Sequence, residues 1–87
     1  MGYEVVFVPR ARKDLERLNA KIADAVIEFA FGELARNPRR VGKPLQRELA
    51  GFMSARRGPY RVLYVIDDEQ SMVIVVRVAH RGVAYKG

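Results

Sequence analysis

Several residue types that support specific kinds of chemistry are scarce in this sequence of 87 residues. It contains no cysteine, no tryptophan and a single histidine, His80. Without cysteine the chain can form neither a disulfide framework nor a thiolate metal site, and one histidine argues against other metal sites. We therefore expect no metal ion and no other cofactor.

The sequence also lacks a long hydrophobic run. Its apolar stretches are far shorter than the roughly 20 residues that a membrane-spanning helix needs, and its first residues do not form a secretion signal. A glycine-rich phosphate loop and a nucleophile–histidine–acid set are absent too. We expect a cytoplasmic protein that does not enter the membrane and lacks the common enzyme motifs.

What the chain does contain is enough apolar residues for one core and an unevenly distributed positive charge. Hydrophobic residues make up 49% of the sequence, and the net charge is +6. A chain of this length forms one domain, which we place at residues 1–87. Residues 1–35 hold five basic and six acidic side chains, whereas residues 36–87 hold eleven basic and four acidic ones. The excess positive charge belongs to the second half and favours a polyanion or an acidic protein as the partner.

Hydrophobic periodicity predicts an α+β fold with the element order β-α-α-β-β-β. Short β-branched and aromatic runs indicate strands near residues 3–8, 52–57, 60–66 and 72–79. Between the first two strands, apolar residues recur at helical spacing in two segments, and Asn37-Pro38 ends the second. We expect a helical hairpin on one face of a mainly antiparallel sheet. The stretch 38–51 is predicted to be a loop, with a short strand near Leu45 to Leu49.

Within that sheet, four arginines are predicted to converge. A two-residue turn at Gly58-Pro59 places Arg56 opposite Arg61. A loop centred on Glu69 would place Ile66 opposite Met72 and Arg61 opposite Arg77, and counting on by twos reaches Arg81. Because like charges directly opposed in a sheet are destabilising, such a face indicates that an anion, above all a phosphate, binds there. The alternative is that these arginines reach solvent or pair with the acids at 67–69.

Aromatic residues and the histidine near these arginines have both structural and functional interpretations. Tyr60 and Tyr64 share a strand face with Val62 and are expected in the core. His80 follows the last strand, where a structural or exposed role is more common than a catalytic one. Tyr85 has the same two interpretations.

The motif GPYRVLYVIDDE, followed by VIVVRVAHR and then a tyrosine, resembles the RelE/ParE toxin superfamily, and RelE-type toxins of actinobacteria in particular. Further support comes from the segments GKPL and LAGFMSARR, so that the resemblance extends over nearly the whole chain. It implies a RelE-like fold and the toxin of a type II toxin–antitoxin pair. RelE-type members cleave messenger RNA in the ribosomal A site, through attack of the ribose 2′-hydroxyl on the adjacent phosphate.

The resemblance also implies roles for individual residues. Arg61 and Arg81 match the arginines that stabilise the transition state, and Tyr85 matches a tyrosine that stacks on the substrate base. His80 is a further catalytic candidate, as an acid or base. The cationic residues expected to contact messenger RNA or ribosomal RNA are Arg39, Arg40, Lys43, Arg47, Arg56, Arg57 and Arg77.

Two features depart from the RelE pattern and leave the proton acceptor unassigned. Well-known members carry lysines at the positions of Phe52 and Ser54, and others carry a glutamate general base at the position of Leu45. Arg56, Arg57 or Lys43 are candidates to replace the missing charge.

Three functions therefore remain open: a ribosome-dependent messenger RNA endonuclease, a ParE-like inhibitor of DNA gyrase, and a catalytically weakened module that binds RNA or an antitoxin. In each case we expect a hetero-oligomer with an acidic, RelB-like antitoxin.

Overall fold

The structure is a computed structural model that describes residues 2–80. Within these residues, five strands and three α-helices follow one another. Their bounds are β1 Glu4–Phe7, α1 Pro9–Glu16, α2 Ala20–Phe29, α3 Pro38–Val41, β2 Gly42–Pro44, β3 Met53–Arg57, β4 Tyr60–Asp67 and β5 Met72–His80. Helix α2 continues into a π-helical segment, Ala30–Leu34, and a 3₁₀ turn spans Arg47–Leu49.

The five strands form one sheet in the order β1-β5-β4-β3-β2. Strand β1 runs parallel to β5, and the other three pairings are antiparallel. The predicted α+β class and the mainly antiparallel sheet are thereby confirmed. The parallel pair is possible because the helices lead from β1 to β2 at the opposite edge of the sheet, and β3 and β4 then bring β5 back beside β1.

Local signals place the ends of the two long helices. Pro9 is the first residue of α1, where a missing N–H is not needed. The Asn19 side chain accepts a hydrogen bond from the Lys21 N–H and caps α2. The helical backbone ends before Asn37, as the following proline requires.

The core lies between these helices and one face of the sheet. Val26, Ala30 and Leu34 on the second helical segment are buried, as predicted, whereas Ile22 at its start is only partly buried. They pack with strand residues that include Val62 and Tyr64. Tyr64 is fully buried, as expected, but Tyr60 is not. Ile22 and Tyr60, the two residues that are less buried than predicted, both lie at the edge of the core, near the β3–β4 turn.

The β3–β4 hairpin has the predicted register. Arg57 pairs with Tyr60, and Arg56 lies directly opposite Arg61. Gly58 adopts a φ of 59°, a conformation that glycine reaches without strain, so that the turn needs only two residues.

The predicted β4–β5 register is wrong by one residue at the loop and by two at Arg61. Asp67 rather than Ile66 pairs with Met72, so that the strands extend further toward the loop. A bulge between Leu63 and Tyr64 shifts the register again, and Arg61 pairs with Ala79 instead of Arg77. A bulge adds an unpaired residue to one strand, which counting by twos cannot anticipate.

The segment 38–51 is also more ordered than predicted. It contains α3 and β2, and the expected strand near Leu45 to Leu49 is wrong, because the strand is Gly42–Pro44 instead. Arg47 adopts a φ of 59°, which is incompatible with an extended strand. Between residues 2 and 80 there is no helix with the length and apolar character needed to cross a membrane.

Candidate functional site

A basic cleft opens where β2 and the residues beside it meet β3 and β4. Its volume is about 530 Å³. We call it the basic cleft, and the residues that line it are Val41, Gly42, Lys43, Pro44, Leu45, Ser54, Arg56 and Arg61. Side chains alternate along a strand, and Ala55 and Val62 point into the core. The cleft is therefore on the face of the sheet that lies away from the helices.

The sheet register brings the polar residues of the cleft together in two rows. Lys43 lies opposite Ser54 on β3. In the neighbouring row, Arg56 lies opposite Arg61. Three cations thus share one surface, although they come from three strands.

Arg61 is only partly exposed, and its Nε atom is buried without a hydrogen-bond partner among the described residues. The ion pairs within residues 2–80 are Arg10–Asp14, Arg77–Asp14 and Arg39–Asp68, so none involves a residue of the basic cleft. Among residues 2–80, no aspartate or glutamate lines it. Because a buried polar atom without a partner is unfavourable, this arrangement suits a ligand that brings hydrogen-bond acceptors and negative charge.

Tyr64 supports the wall of the cleft from inside the protein. Its hydroxyl donates a 2.5 Å hydrogen bond to the main-chain oxygen of Pro38, the first residue of α3. Burial raises the pKa of Tyr64 to about 12, because the phenolate would lose its hydration. Gly42 allows the contact, since a Cβ atom at this position would lie 2.1 Å from the Tyr64 hydroxyl. The segment that carries Lys43 is thus held against the sheet.

Arg77 does not join the cluster predicted for it. It lies opposite Leu63, and its Nε donates a 2.9 Å hydrogen bond to Oδ2 of Asp14 on α1. It is not part of the lining of the basic cleft. The β4–β5 bulge and the ion pair with Asp14 together explain why the sequence-based arrangement of four arginines is wrong at this position.

Other predicted RNA-binding residues lie outside the basic cleft. Arg39 forms an ion pair with Asp68 and also contacts the Tyr3 hydroxyl. The hydrogen bonds from Arg39 and then from Tyr3 lower the pKa of Asp68. Arg40 and Arg47 are exposed and do not line the cleft. Arg57 pairs with Tyr60, one residue out of step with Arg56, and therefore points to the other face of the sheet.

His80, a further catalytic candidate, is also set apart from Arg61. His80 pairs with Tyr60 in the β4–β5 register, and the two rings meet edge to face with centroids 5.3 Å apart. Because Tyr60 and Arg61 are adjacent on one strand, His80 is on the opposite face from Arg61. Arg81 and Tyr85 lie outside the described residues.

Sequence reasoning missed two residues that organise this region. Tyr64 was assigned only to the core, although its hydroxyl holds α3. Asp14 was overlooked, although its spacing of three from Ala11 and four to Leu18 puts a carboxylate on the apolar stripe of α1, which is a readable signal. Within residues 2–80 no three His, Cys, Asp or Glu side chains are grouped as a metal ion would need.

Comparison with known families gives a match over most of the chain. A family model described as the ParE toxin of the type II toxin–antitoxin system parDE matches residues 5–85. Among curated proteins, Toxin RelG of Mycobacterium tuberculosis is 58% identical over 86 residues, which is 99% of each chain. Toxin RelE of the same organism is 49% identical over 84 residues, covering 97% of this chain and 87% of that protein.

A solved structure has the same fold at high identity. The toxin–antitoxin complex RelBE2 from Mycobacterium tuberculosis contains a chain that is 59% identical to this one, with a TM-score of 0.90. The match covers 93% of this chain and all of the other. This similarity includes both the sheet and the helical layer described above.

Proposed function

Since the chain belongs to the ParE toxin family of type II toxin–antitoxin systems and is a RelE-type toxin, we propose that it is a ribosome-dependent endoribonuclease. In this proposal it cleaves messenger RNA in the ribosomal A site and stops translation, which puts its action in the cytoplasm. The observation that carries the proposal is the Arg61 guanidinium: among the described residues, its buried Nε lacks a partner, and the cleft around it is lined by two further cations and no acid.

The cleft suits a phosphodiester in its charge and in its geometry. A phosphate accepts two hydrogen bonds from one planar guanidinium, and Arg56 and Lys43 add positive charge on the same surface. The Arg61 side chain stays protonated at neutral pH, so its work is to bind the scissile phosphate and to stabilise the charge that develops as the 2′-hydroxyl attacks.

The proposal assigns residues outside the described part of the chain only by resemblance. Arg81 is two residues beyond Ala79, the partner of Arg61, and is expected to stabilise the same transition state. Tyr85 is expected to stack on a base, so that its replacement by alanine costs about 1–3 kcal/mol of stacking. His80 is a weaker candidate for proton transfer, because its strand position faces away from Arg61.

The test is single-turnover cleavage of messenger RNA on programmed ribosomes. Arg61→Ala should slow cleavage about a hundredfold to a thousandfold, the range for losing one transition-state donor. Arg17→Ala, an exposed arginine outside the cleft, is the matched control and should cleave like the parent protein. Circular dichroism establishes that both variants are folded. Equal rates for folded Arg61→Ala and the parent protein would refute the mechanism.

A second candidate function is favoured by the description of the matching family model. That model is described as the ParE toxin, and a ParE-like toxin would inhibit DNA gyrase without cleaving RNA. Expression in growing cells separates the two functions: an endoribonuclease stops protein synthesis at once, whereas a gyrase inhibitor causes DNA breaks first. If the protein is an endoribonuclease, Arg61→Ala should abolish the block in protein synthesis.

The partner proposed for the complete system is an acidic antitoxin. The supporting observation is that the relative of known structure is described as a toxin–antitoxin complex, together with the excess of basic residues in the second half of this chain. Complementary charge accelerates encounter, so the association rate should fall as salt increases. Stopped-flow mixing with the antitoxin measures it, and a rate independent of salt would contradict the electrostatic part.

A further inference from the structure

Among residues 2–80, Asp14 is the one charged residue that is buried, with an exposed fraction of 8%. It lies on α1, on the same helical face as the fully buried Ala11. A carboxylate on an apolar face is unfavourable unless it is paired and hydrogen-bonded. Its contacts therefore indicate what the protein requires at this position.

Asp14 ties α1 to the last part of β5. One oxygen, Oδ2, accepts hydrogen bonds of 2.9 Å from both the Val78 main-chain N–H and Nε of Arg77. The other, Oδ1, is 3.9 Å from Nε of Arg10. The carboxylate is thus balanced by two guanidinium groups while it binds the backbone.

The Val78 contact has a reason in the sheet topology. Strand β1 ends at Phe7, which pairs with Val75, and the next hydrogen bond runs from the Val8 N–H to the Val75 oxygen. Beyond that point β1 no longer covers the edge of β5. Asp14 supplies an acceptor there in place of a strand, because a buried N–H without a partner is costly.

This end of β5 is the part of the strand that lies beside Arg61 of the basic cleft. Ala79, the residue after Val78, lies opposite Arg61, and the next residue of the chain beyond β5 is Arg81. Along β5, the bulge opposite Leu63 and Tyr64 comes before Val78, and the strand end at His80 comes after it. Because a bulge interrupts the ladder, the register at this end depends more on local contacts such as the one from Asp14.

We propose that Asp14 is a positioning residue for RNA cleavage: it holds β5 at Val78 and takes up the Arg77 guanidinium, which fixes the strand beside Arg61 in the reactive geometry. The proposal rests on the proposed function. Among the described residues, the hydrogen bonds and ion pairs of Asp14 join it to Arg10, Arg77 and Val78, which do not line the cleft, so that it acts through the backbone of β5. A displacement of about 1 Å at a reacting group can slow a reaction about a hundredfold, so a loose strand end would reduce the rate while leaving RNA binding intact.

The experiment compares three variants with the parent protein. Asp14→Ala removes both acceptors, Asp14→Asn keeps the shape and one acceptor oxygen, and Asp24→Ala is the matched control on an exposed aspartate of α2. Two quantities are measured: kcat and KM for programmed ribosomes, and hydrogen exchange of the Val78 amide at a temperature at which every variant is folded.

We expect Asp14→Ala to lower kcat about tenfold to a hundredfold with KM unchanged, and to accelerate exchange at Val78. Asp14→Asn should recover part of both effects, and Asp24→Ala should show neither. Fast exchange at Val78 with an unchanged kcat would overturn the proposal, because Asp14 would then be purely structural. The same holds if Asp14→Ala raises KM alone. A parent protein that cleaves no RNA would instead refute the proposed function. If the Val78 amide of Asp14→Ala exchanges as slowly as that of the parent protein, the Val78 contact is refuted, whatever the activity.

Discussion

Arg56 and Arg61 lie directly opposite each other on β3 and β4, and no acidic residue in the described part of the chain lines the cleft that they share. Two like charges in this arrangement destabilise the free protein, and an anion bound between them would relieve the repulsion. The cleft is thus a region where the requirements of stability and of ligand binding conflict.

Replacing Arg56 by threonine should therefore stabilise the free protein and weaken its function. We expect a gain of about 0.2–1 kcal/mol in the free energy of unfolding, with slower RNA cleavage. Arg57→Thr is the control, because it makes the same change on the same strand but opposite Tyr60. Denaturant unfolding measures both variants. A loss of stability in Arg56→Thr relative to Arg57→Thr would contradict the idea of repulsion.

Replacing Arg61 by lysine tests the geometry of the guanidinium separately from its charge. A single ammonium cannot form two parallel hydrogen bonds to a phosphate, so Arg61→Lys should remain far slower than the parent protein despite equal charge. Single-turnover cleavage, together with ribosome binding, distinguishes the two properties. Full activity of Arg61→Lys would show that only the charge matters.

Gly42→Ala should disturb the wall of the cleft. The new Cβ would lie 2.1 Å from the Tyr64 hydroxyl and 3.0 Å from the Ser54 main-chain oxygen, and we expect a loss of about 1–3 kcal/mol in stability. Gly32→Ala is the control, because its Cβ would meet no atom within 4 Å. Adding Tyr64→Phe to Gly42→Ala should restore part of the loss, and a Gly42→Ala protein as stable as Gly32→Ala would refute the close approach.

Tyr64 should make stability sensitive to alkaline pH. Burial raises its pKa in the folded protein to about 12, above about 10 in the unfolded chain. The folded state therefore holds the Tyr64 proton more tightly. The resulting contribution to the free energy of unfolding is complete below about pH 10 and is lost as the pH rises towards 12. The loss from this group is at most about 1.4 kcal/mol per pH unit.

The control for this pH effect is Tyr64→Phe, which lacks the ionisable hydroxyl but keeps the buried ring. Its stability should be lower than that of the parent at neutral pH, by about 0.5–1.5 kcal/mol for the hydrogen bond to Pro38. The gap should narrow above about pH 10. Urea titrations across this range measure it, and parallel curves would show that Tyr64 does not titrate differently in the two states.

Val26→Asp should unfold the domain. Val26 is 1% exposed, and its burial contributes about 1.5–3 kcal/mol, to which the cost of placing a carboxylate in the core is added. Lys21→Asp, an exposed position on the same helix, should leave the fold intact. Thermal melting by circular dichroism is the measurement, and an unchanged midpoint for Val26→Asp would contradict the assigned core.

Local rules were enough to predict much of this protein from its sequence. Hydrophobic periodicity identified the helices and the central strands, because each such element must bury one face. The Gly58-Pro59 turn set the pairing of Arg56 with Arg61, since a two-residue loop allows a single register. The resemblance to RelE-type toxins then pointed to Arg61 within that hairpin.

Only the tertiary structure decided how distant segments combine. The β4–β5 bulge, and with it the pairing of Arg61 with Ala79 instead of Arg77, depends on contacts between strands that no local pattern encodes. The same applies to β2, which the hydroxyl of Tyr64 and the absent side chain of Gly42 allow to approach the sheet. Composition and local turns determined which cations this protein has and that Arg56 faces Arg61, whereas long-range packing determined that Lys43 joins them in one cleft and that Arg39 and Arg77 are paired elsewhere.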